Sequence, residues 1–262
     1  MSDASGHFVW YDLMTSDPTA AQGFYEKVLG WGSLPWDGPM PYTMFTVDEA
    51  PMSGVMELPA EAKSMGVPPH WIAYVHVPDV DATVAKVTEL GGSVVVPPQD
   101  IPEVGRFATI ADPHGAVIAP ITLNDPTPKP AQPPVGHVSW HELMSDDHRA
   151  SLEFYSALFG WKAGEPMDMG GDAGIYQLFS HPDAPAEAPA GGMMNRPEGM
   201  PVSAWLCYMR VDGLEAALDR IRDAGGQVLH EPMDVPGGDR VVQCLDPQGA
   251  AFALHEVGTG AS

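Results

Sequence analysis

Residues 6–14 read GHFVWYDLM, and residues 136–144 read GHVSWHELM. Gly6, His7, Trp10, Leu13 and Met14 return 130 residues later as Gly136, His137, Trp140, Leu143 and Met144. The same offset carries Phe24-Tyr25 and Gly30-Trp31 to Phe154-Tyr155 and Gly160-Trp161. One spacing held through a strand-like stretch and the helix behind it marks a duplicated domain.

Working outward, each copy divides again. After FVWYDLM, Asp17 is placed to cap a helix with Pro18 at its first position, and Ala21, Phe24 and Val28 repeat at helical spacing until Gly30. Strand-like pieces follow at 42–47 and 53–57. The pattern then restarts: HWIAYVHV reads as a strand and DVDATVAKVTELGG as a helix with Val80, Val84, Val87 and Leu90 on one face. Three strand-like segments, VVVPP, RFATIAD and AVIAPIT, complete the half. The second half keeps this order, with Leu214, Leu218, Ile221 and Ala224 striping its second helix. By then the offset is 134 (Gly91 to Gly225), so loops between 164 and 202 have taken four extra residues. Each half is β-α-β-β-β written twice. The expected division is a first domain at 1–123, a linker at 124–135, a second domain at 136–257 and a tail at 258–262. The linker, NDPTPKPAQPPV, holds five prolines and reads as a stiff extended segment. The Pro- and Gly-rich stretches 59–69 and 181–201 read as loops between units.

Composition narrows the function classes. The 262 residues are 44% apolar, enough for two ordinary cores, and no apolar run approaches the roughly 18 residues of a membrane span. MSDASGHFVW lacks the basic start and apolar stretch of a signal peptide, so a cytoplasmic location is expected. With 12 basic against 35 acidic residues the formal charge is −23, which disfavours nucleic acid and anionic membranes as partners. The two cysteines, Cys207 and Cys244, form no CxxC pair; reduced, unlinked thiols are expected.

The repeated βαβββ order, with D-x6-F-Y-x4-G-W in the first helix, D-V-D-A…L-G-G in the second and D-P-x-G-A before the last strand, resembles the glyoxalase/bleomycin-resistance/extradiol-dioxygenase (vicinal oxygen chelate) superfamily. Both halves carry the signature: Asp17, Phe24, Tyr25, Gly30, Trp31, Asp112, Pro113 and Gly115, then Asp147, Phe154, Tyr155, Gly160, Trp161, Asp246, Pro247 and Gly249. The resemblance implies an α+β fold: a tandem pair of such domains, each two βαβββ units forming a curved, cup-shaped mixed sheet. Many members hold one divalent metal in the cup with ligands from three strands. Those positions fall here on Trp10, Ile72 and Ala119, and on Trp140, Leu206 and Ala253. None offers a metal-binding lone pair. No metal and no cofactor are therefore expected, a shifted register excepted. His7 and His137 lie three residues before the first position and read as hydrogen-bonding groups at the start of a strand; His70 reads as a loop residue.

Alternation places Trp10, Asp12, Tyr74 and His76 toward the first cup. Trp140, Glu142, Tyr208, Arg210 and His255 face the second. Glu142 and His255 are the candidate catalytic residues, since a carboxylate beside imidazole suits general acid–base work. The plainer alternative pairs Glu142 with Arg210 as a buried ion pair. Trp10, Asp12, Tyr74, His76, Trp140, Tyr208 and Arg210 are the candidate substrate-binding residues. Arg106 and Arg240, recurring in G-R-F and D-R-V, either clamp an anion or bind neighbouring carboxylates. The expected function is binding of a small, partly apolar organic molecule in a metal-free cup. The alternatives are a lyase, isomerase or oxygenase using acid–base groups of the second cup, and a scaffold without chemistry. The expected partner is that small molecule, in a monomer with pseudo-dimeric domain pairing or in a homodimer.

Overall fold

The duplication in sequence is a duplication of strand order in the computed structural model, which describes residues 4–126, 133–171, 174–185 and 187–258. β1 (Phe8–Thr15) leads into α1 (Pro18–Leu29), then β2 (Gly32–Pro35), β3 (Thr43–Val47), β4 (Ala50–Glu57) and α2 (Ala60–Ser64). The order restarts with β5 (His70–His76), α3 (Val80–Glu89), β6 (Ser93–Ile101), β7 (Gly105–Ala111) and β8 (Val117–Leu123). The second half begins with β9 (Val138–Ser145), α4 (His148–Phe159), β10 (Lys162–Asp168), β11 (Ile175–Ser180) and β12 (Gly191–Asn195). It ends with β13 (Ala204–Val211), α5 (Leu214–Asp223), β14 (Gln227–Val228), β15 (Met233–Asp234), β16 (Arg240–Leu245) and β17 (Ala251–Glu256).

One sheet runs β2-β3-β4-β1-β5-β8-β7-β6 and the other β10-β11-β12-β9-β13-β17-β16-β14, with β15 added on β16. In every unit the opening strand pairs in parallel with the closing one: β1 with β4, β5 with β8, β9 with β12, β13 with β17. A parallel pair needs a long crossover, and each unit's helix with the hairpin behind it supplies one. The α+β class and the four βαβββ units expected from sequence are present. Two stretches expected as loops carry elements: α2 lies within 59–69 and β12 within 181–201. Pro59 presets the entry to α2, whose first turn carries Glu61 against the helix dipole. In β12 the His141 carbonyl and the Phe179 ring stand where a Cβ of Gly191 would be, and the Tyr176 ring where that of Gly192 would be. Of the expected linker, residues 127–132 lie outside the described residues, as do 259–262 of the expected tail.

Helix ends follow the local chemistry. Asp17 Oδ1 accepts from the Ala20 amide at 3.0 Å with Pro18 at the first position, and Gly30 closes α1 at φ 72°. Asp147 and Gly160 (φ 76°) do the same for α4.

By compactness the described residues form two units, each drawing on both halves. Unit 1 takes those of 1–10, 73–130 and 141–206; unit 2 takes those of 11–72, 131–140 and 207–262. The signature residues hold each unit together. In unit 2, Tyr25 Oη donates to Asp246 Oδ2 at 3.3 Å and accepts from Trp71 Nε1 at 3.0 Å, while Trp31 Nε1 donates to the Gly136 carbonyl at 2.8 Å. In unit 1 the halves exchange roles. Trp161 Nε1 donates to the Gly6 carbonyl at 2.6 Å, Trp205 Nε1 to Tyr155 Oη at 3.1 Å, and Ser151 Oγ to Asp112 Oδ2 at 3.3 Å. Burial, reinforced by Asp246 and Asp112 respectively, holds the Tyr25 and Tyr155 phenols well above their ordinary pKa, so both stay neutral. The other oxygen of each aspartate closes its D-P-x-G turn: Asp112 accepts from the His114 and Ala116 amides, Asp246 from those of Gln248 and Ala250. The repeated Gly-His motif is thus a joint, with the Gly6 and Gly136 carbonyls as acceptors for the opposite copy's tryptophan.

Candidate functional site

The positions where the resemblance places metal ligands are filled by apolar groups. Ile72, Ala119, Leu206 and Ala253 are buried, and Trp10 and Trp140 half-buried. Among the described residues no three His, Cys, Asp or Glu side chains come together in a way that could hold a metal ion. The donor set therefore does not fit the superfamily metal.

A different arrangement occurs once in each unit. In unit 2, Asp12 on β1 is 6% exposed and accepts a hydrogen bond from Tyr42 Oη at 2.6 Å. Its register partner on β4 is Gly54, where an added Cβ would stand 1.9 Å from Tyr42 Oη. In unit 1, Glu142 on β9 is 7% exposed and accepts from Tyr176 Oη at 3.0 Å. Its register partner on β12 is Gly192, where a Cβ would stand 1.9 Å from Tyr176 Cε1. Each carboxylate is thus oriented by a phenol lying over a strand glycine. Neither tyrosine nor either glycine was expected at the site. Their signal was in the sequence: Tyr42-x-x-Phe45 recurs as Tyr176-x-x-Phe179, and each is followed by a strand glycine.

The other expected residues divide between the units. Unit 1 holds Trp10, Tyr74, His76 and Glu142. Tyr74 tilts against Phe107 with centroids 6.1 Å apart, and His76 Nδ1 accepts from the Leu123 amide at 3.4 Å. Unit 2 holds Asp12, Trp140, Tyr208, Arg210 and His255. Arg210 Nη1 donates to the Pro133 carbonyl at 2.8 Å. His255 lies between two polar partners, Ser139 Oγ at 2.8 Å from Nδ1 and Asp239 Oδ2 at 2.9 Å from Nε2. Burial opposes ionisation of Asp239, but the Gly258 amide and His255 outweigh it and hold the carboxyl below its ordinary pKa.

The other histidines and arginines singled out in the sequence have protein partners. His7 Nε2 meets Asp183 Oδ1 at 2.6 Å and its ring stacks on His181 at 4.0 Å. His70 Nδ1 donates to the Pro68 carbonyl at 2.8 Å. Arg106 binds Asp81 and Asp100, and Arg240 binds Glu215 and Glu256, so both arginines serve neighbouring carboxylates. Cys207 and Cys244 are buried and not joined in a disulfide. No described helix is long and apolar enough to cross a membrane.

Comparison with known proteins agrees with this architecture. The chain is 35% identical over 251 residues to CFP32 of Mycobacterium tuberculosis (strain CDC 1551 / Oshkosh), which bears a provisional glyoxylase name; the match covers 94% of this chain and 92% of that protein. It is 29% identical over 266 residues to the anthracycline biosynthesis protein DauV of Streptomyces sp. (strain C5), covering 97% and 94%. Among solved structures, the Mn(II)-bound glyoxalase of Novosphingobium aromaticivorans superposes with TM-score 0.65 at 15% identity, covering 97% of this chain and 84% of that one. The 2,3-dioxygenase LapB of Pseudomonas sp. KL28 superposes with TM-score 0.62 at 15% identity, covering 97% and 92%. The family model described as Glyoxalase/Bleomycin resistance protein/Dioxygenase superfamily matches residues 6–119 and again 135–254, and the chain belongs to that superfamily.

Proposed function

We propose that the protein binds a small, partly apolar organic molecule carrying hydroxyl or amino groups, without a metal at the superfamily position. The duplicated pairs Asp12–Tyr42 and Glu142–Tyr176 carry this reading. They put one oriented acceptor into each unit. Tyr74 and His76 in unit 1, and Tyr208 and Arg210 in unit 2, are the further contact candidates. An aromatic wall with few polar groups suits a flat, hydroxylated ring system. The naming of two relatives for anthracycline biosynthesis points to the same ligand class. Glu142 in unit 1 is the group proposed to move a proton if the bound molecule is turned over; His255, the other candidate, lies in unit 2 with Asp239 as its partner.

The test is a tryptophan-fluorescence titration with a soluble hydroxyanthraquinone, run beside elemental analysis after brief chelation and desalting. Saturable binding is expected with well under one metal equivalent per chain. Losing one charge-assisted hydrogen bond, about 1.5 kcal/mol or more, should weaken binding about tenfold in Asp12→Asn or Glu142→Gln. A full equivalent of metal ligated by the protein overturns the metal-free reading. Absence of binding, or binding that both variants leave unchanged, overturns the site.

A further inference from the structure

Where β13 and β17 end and β16 begins, unit 2 holds a cavity of about 280 Å³. Its charged lining residues are Arg210, Asp212, Arg240 and Glu256. Two of these are already compensated. Arg240 Nη2 donates to Glu215 Oε1 at 2.6 Å and Nη1 to Glu256 Oε2 at 3.5 Å. The other Glu256 oxygen accepts from the Gly213 and Leu214 amides at 3.1 and 2.8 Å, at the start of α5, where the helix dipole also favours a carboxylate. Arg210 and Asp212 are left over. Among the described residues neither forms an ion pair, with the other or with any third group. Arg210 uses one N–H on the Pro133 carbonyl and keeps the rest of its planar fork. Its charge is felt by Asp239, but the two oxygens of Asp239 are taken by His255 Nε2 and the Gly258 amide.

Opposite charges that line one small cavity without pairing leave a gap that a ligand carrying both charges can bridge. Two residues apart on extended backbone, Arg210 and Asp212 stand about 7 Å apart along the chain and turn to the same side. The duplication serves as an internal control. At the 134-residue offset the first copy has His76, Pro78, Arg106 and Thr122 in place of Arg210, Asp212, Arg240 and Glu256. The compensated arginine recurs, since Arg106 binds Asp81 as Arg240 binds the matching Glu215. The uncompensated pair does not recur, so the fold is built without it. Gly238 also stands in place of Val104, which takes a side chain out of the lining.

We propose that this cavity binds a small zwitterion, an α-amino acid with a short aliphatic side chain, its carboxylate on Arg210 and its ammonium on Asp212. A guanidinium fork matches a carboxylate, and a carboxylate accepts from an ammonium. Val135, Val211 and Val257 are also in the lining and suit the aliphatic part. The cavity is small beside ligand pockets of about 300–1,000 Å³, which favours a molecule of few heavy atoms. A plain anion would face Asp212 on a chain of formal charge −23, and a plain cation would face Arg210. A zwitterion meets neither repulsion. This site lies apart from the carboxylate–phenol pairs and shares only Arg210 with the contacts considered above.

Isothermal titration calorimetry of the full chain with L-valine tests the proposal, with 3-methylbutanoate and isobutylamine as controls that lack the ammonium and the carboxylate respectively. Saturable binding of valine is expected. Each control should bind at least about tenfold more weakly, because each loses one charge-assisted contact. Asp212→Asn and Arg210→Gln should each weaken valine by about tenfold or more, and Asp212→Asn should not weaken 3-methylbutanoate. If Arg210→Gln does not fold by circular dichroism, Asp212→Asn decides, since Asp212 is exposed. No valine binding, a control that binds as tightly as valine, or an unchanged valine affinity in Asp212→Asn overturns the site.

Discussion

Gly192→Ala probes the carboxylate–phenol arrangement most directly. The added methyl would stand 1.9 Å from Tyr176 Cε1, 2.3 Å from Cζ and 2.6 Å from Oη, and these are its three nearest atoms. Carbon atoms pack at about 3.5–4.0 Å, so the ring must move by more than an ångström. Its hydroxyl cannot then keep the 3.0 Å bond to Glu142. Overpacking costs about 1–3 kcal/mol, and a hydrogen bond to a charged group about 1.5–3 kcal/mol more. The variant should lose about 3–6 kcal/mol, lowering Tm on the order of 10 °C. Tyr176→Phe removes only the second contribution, about 1.5–3 kcal/mol and on the order of 5 °C. In a Tyr176→Ala background the colliding atoms are gone, so adding Gly192→Ala should cost under about 1 kcal/mol. Thermal melts of the four proteins close the cycle. An equal cost for Gly192→Ala in both backgrounds, or a smaller one than for Tyr176→Phe, would refute the claim that this glycine exists to seat the phenol.

Tyr25→Phe takes the acceptor from Trp71 Nε1 and a donor from Asp246 in one step, and should cost about 2–4 kcal/mol by denaturant titration; under about 1 kcal/mol would sink the joint as described. His181 is pushed down to about 4 by burial, with His7 adding to the shift, and its Nε2 has no partner among the described residues. The unfolded chain then binds the extra proton between about pH 6.5 and 4, so stability should fall as pH drops through that window. His181→Gln should flatten that slope, and an unchanged slope contradicts the assignment. Cys207 and Cys244 should ignore a thiol reagent in the native protein and titrate as two equivalents after unfolding, since both are buried and burial pushes the Cys244 thiol up to about 12.

The fold was legible because its signature residues meet strict local demands. Gly30 and Gly160 take positive φ at helix ends, Asp17 and Asp147 cap, and Asp112 and Asp246 close turns. Such demands depend on neighbours along the chain, and a sequence displays them. The carboxylates Asp12 and Glu142 stand out in the sequence as the only acidic residues of their strands. What orients them does not. Tyr42 comes from 30 residues away and Tyr176 from 34, and nothing local says which face of its strand a tyrosine shares with a distant carboxylate. The same holds for Ser139 and His255, separated by 116 residues.

The two copies separate what the fold needs from what it permits. Phe-Tyr, Gly-Trp and D-P-x-G recur because each bonds or packs against the opposite half, and losing one would open a unit. The carboxylate–phenol–glycine set recurs as well, but with aspartate in one copy and glutamate in the other. A shorter and a longer side chain on one backbone register each reach a phenol, at 2.6 Å and 3.0 Å. Ser139, Asp239 and His255 do not recur at all, with valine, glycine and isoleucine at those positions in the first copy, so the shared fold does not require them.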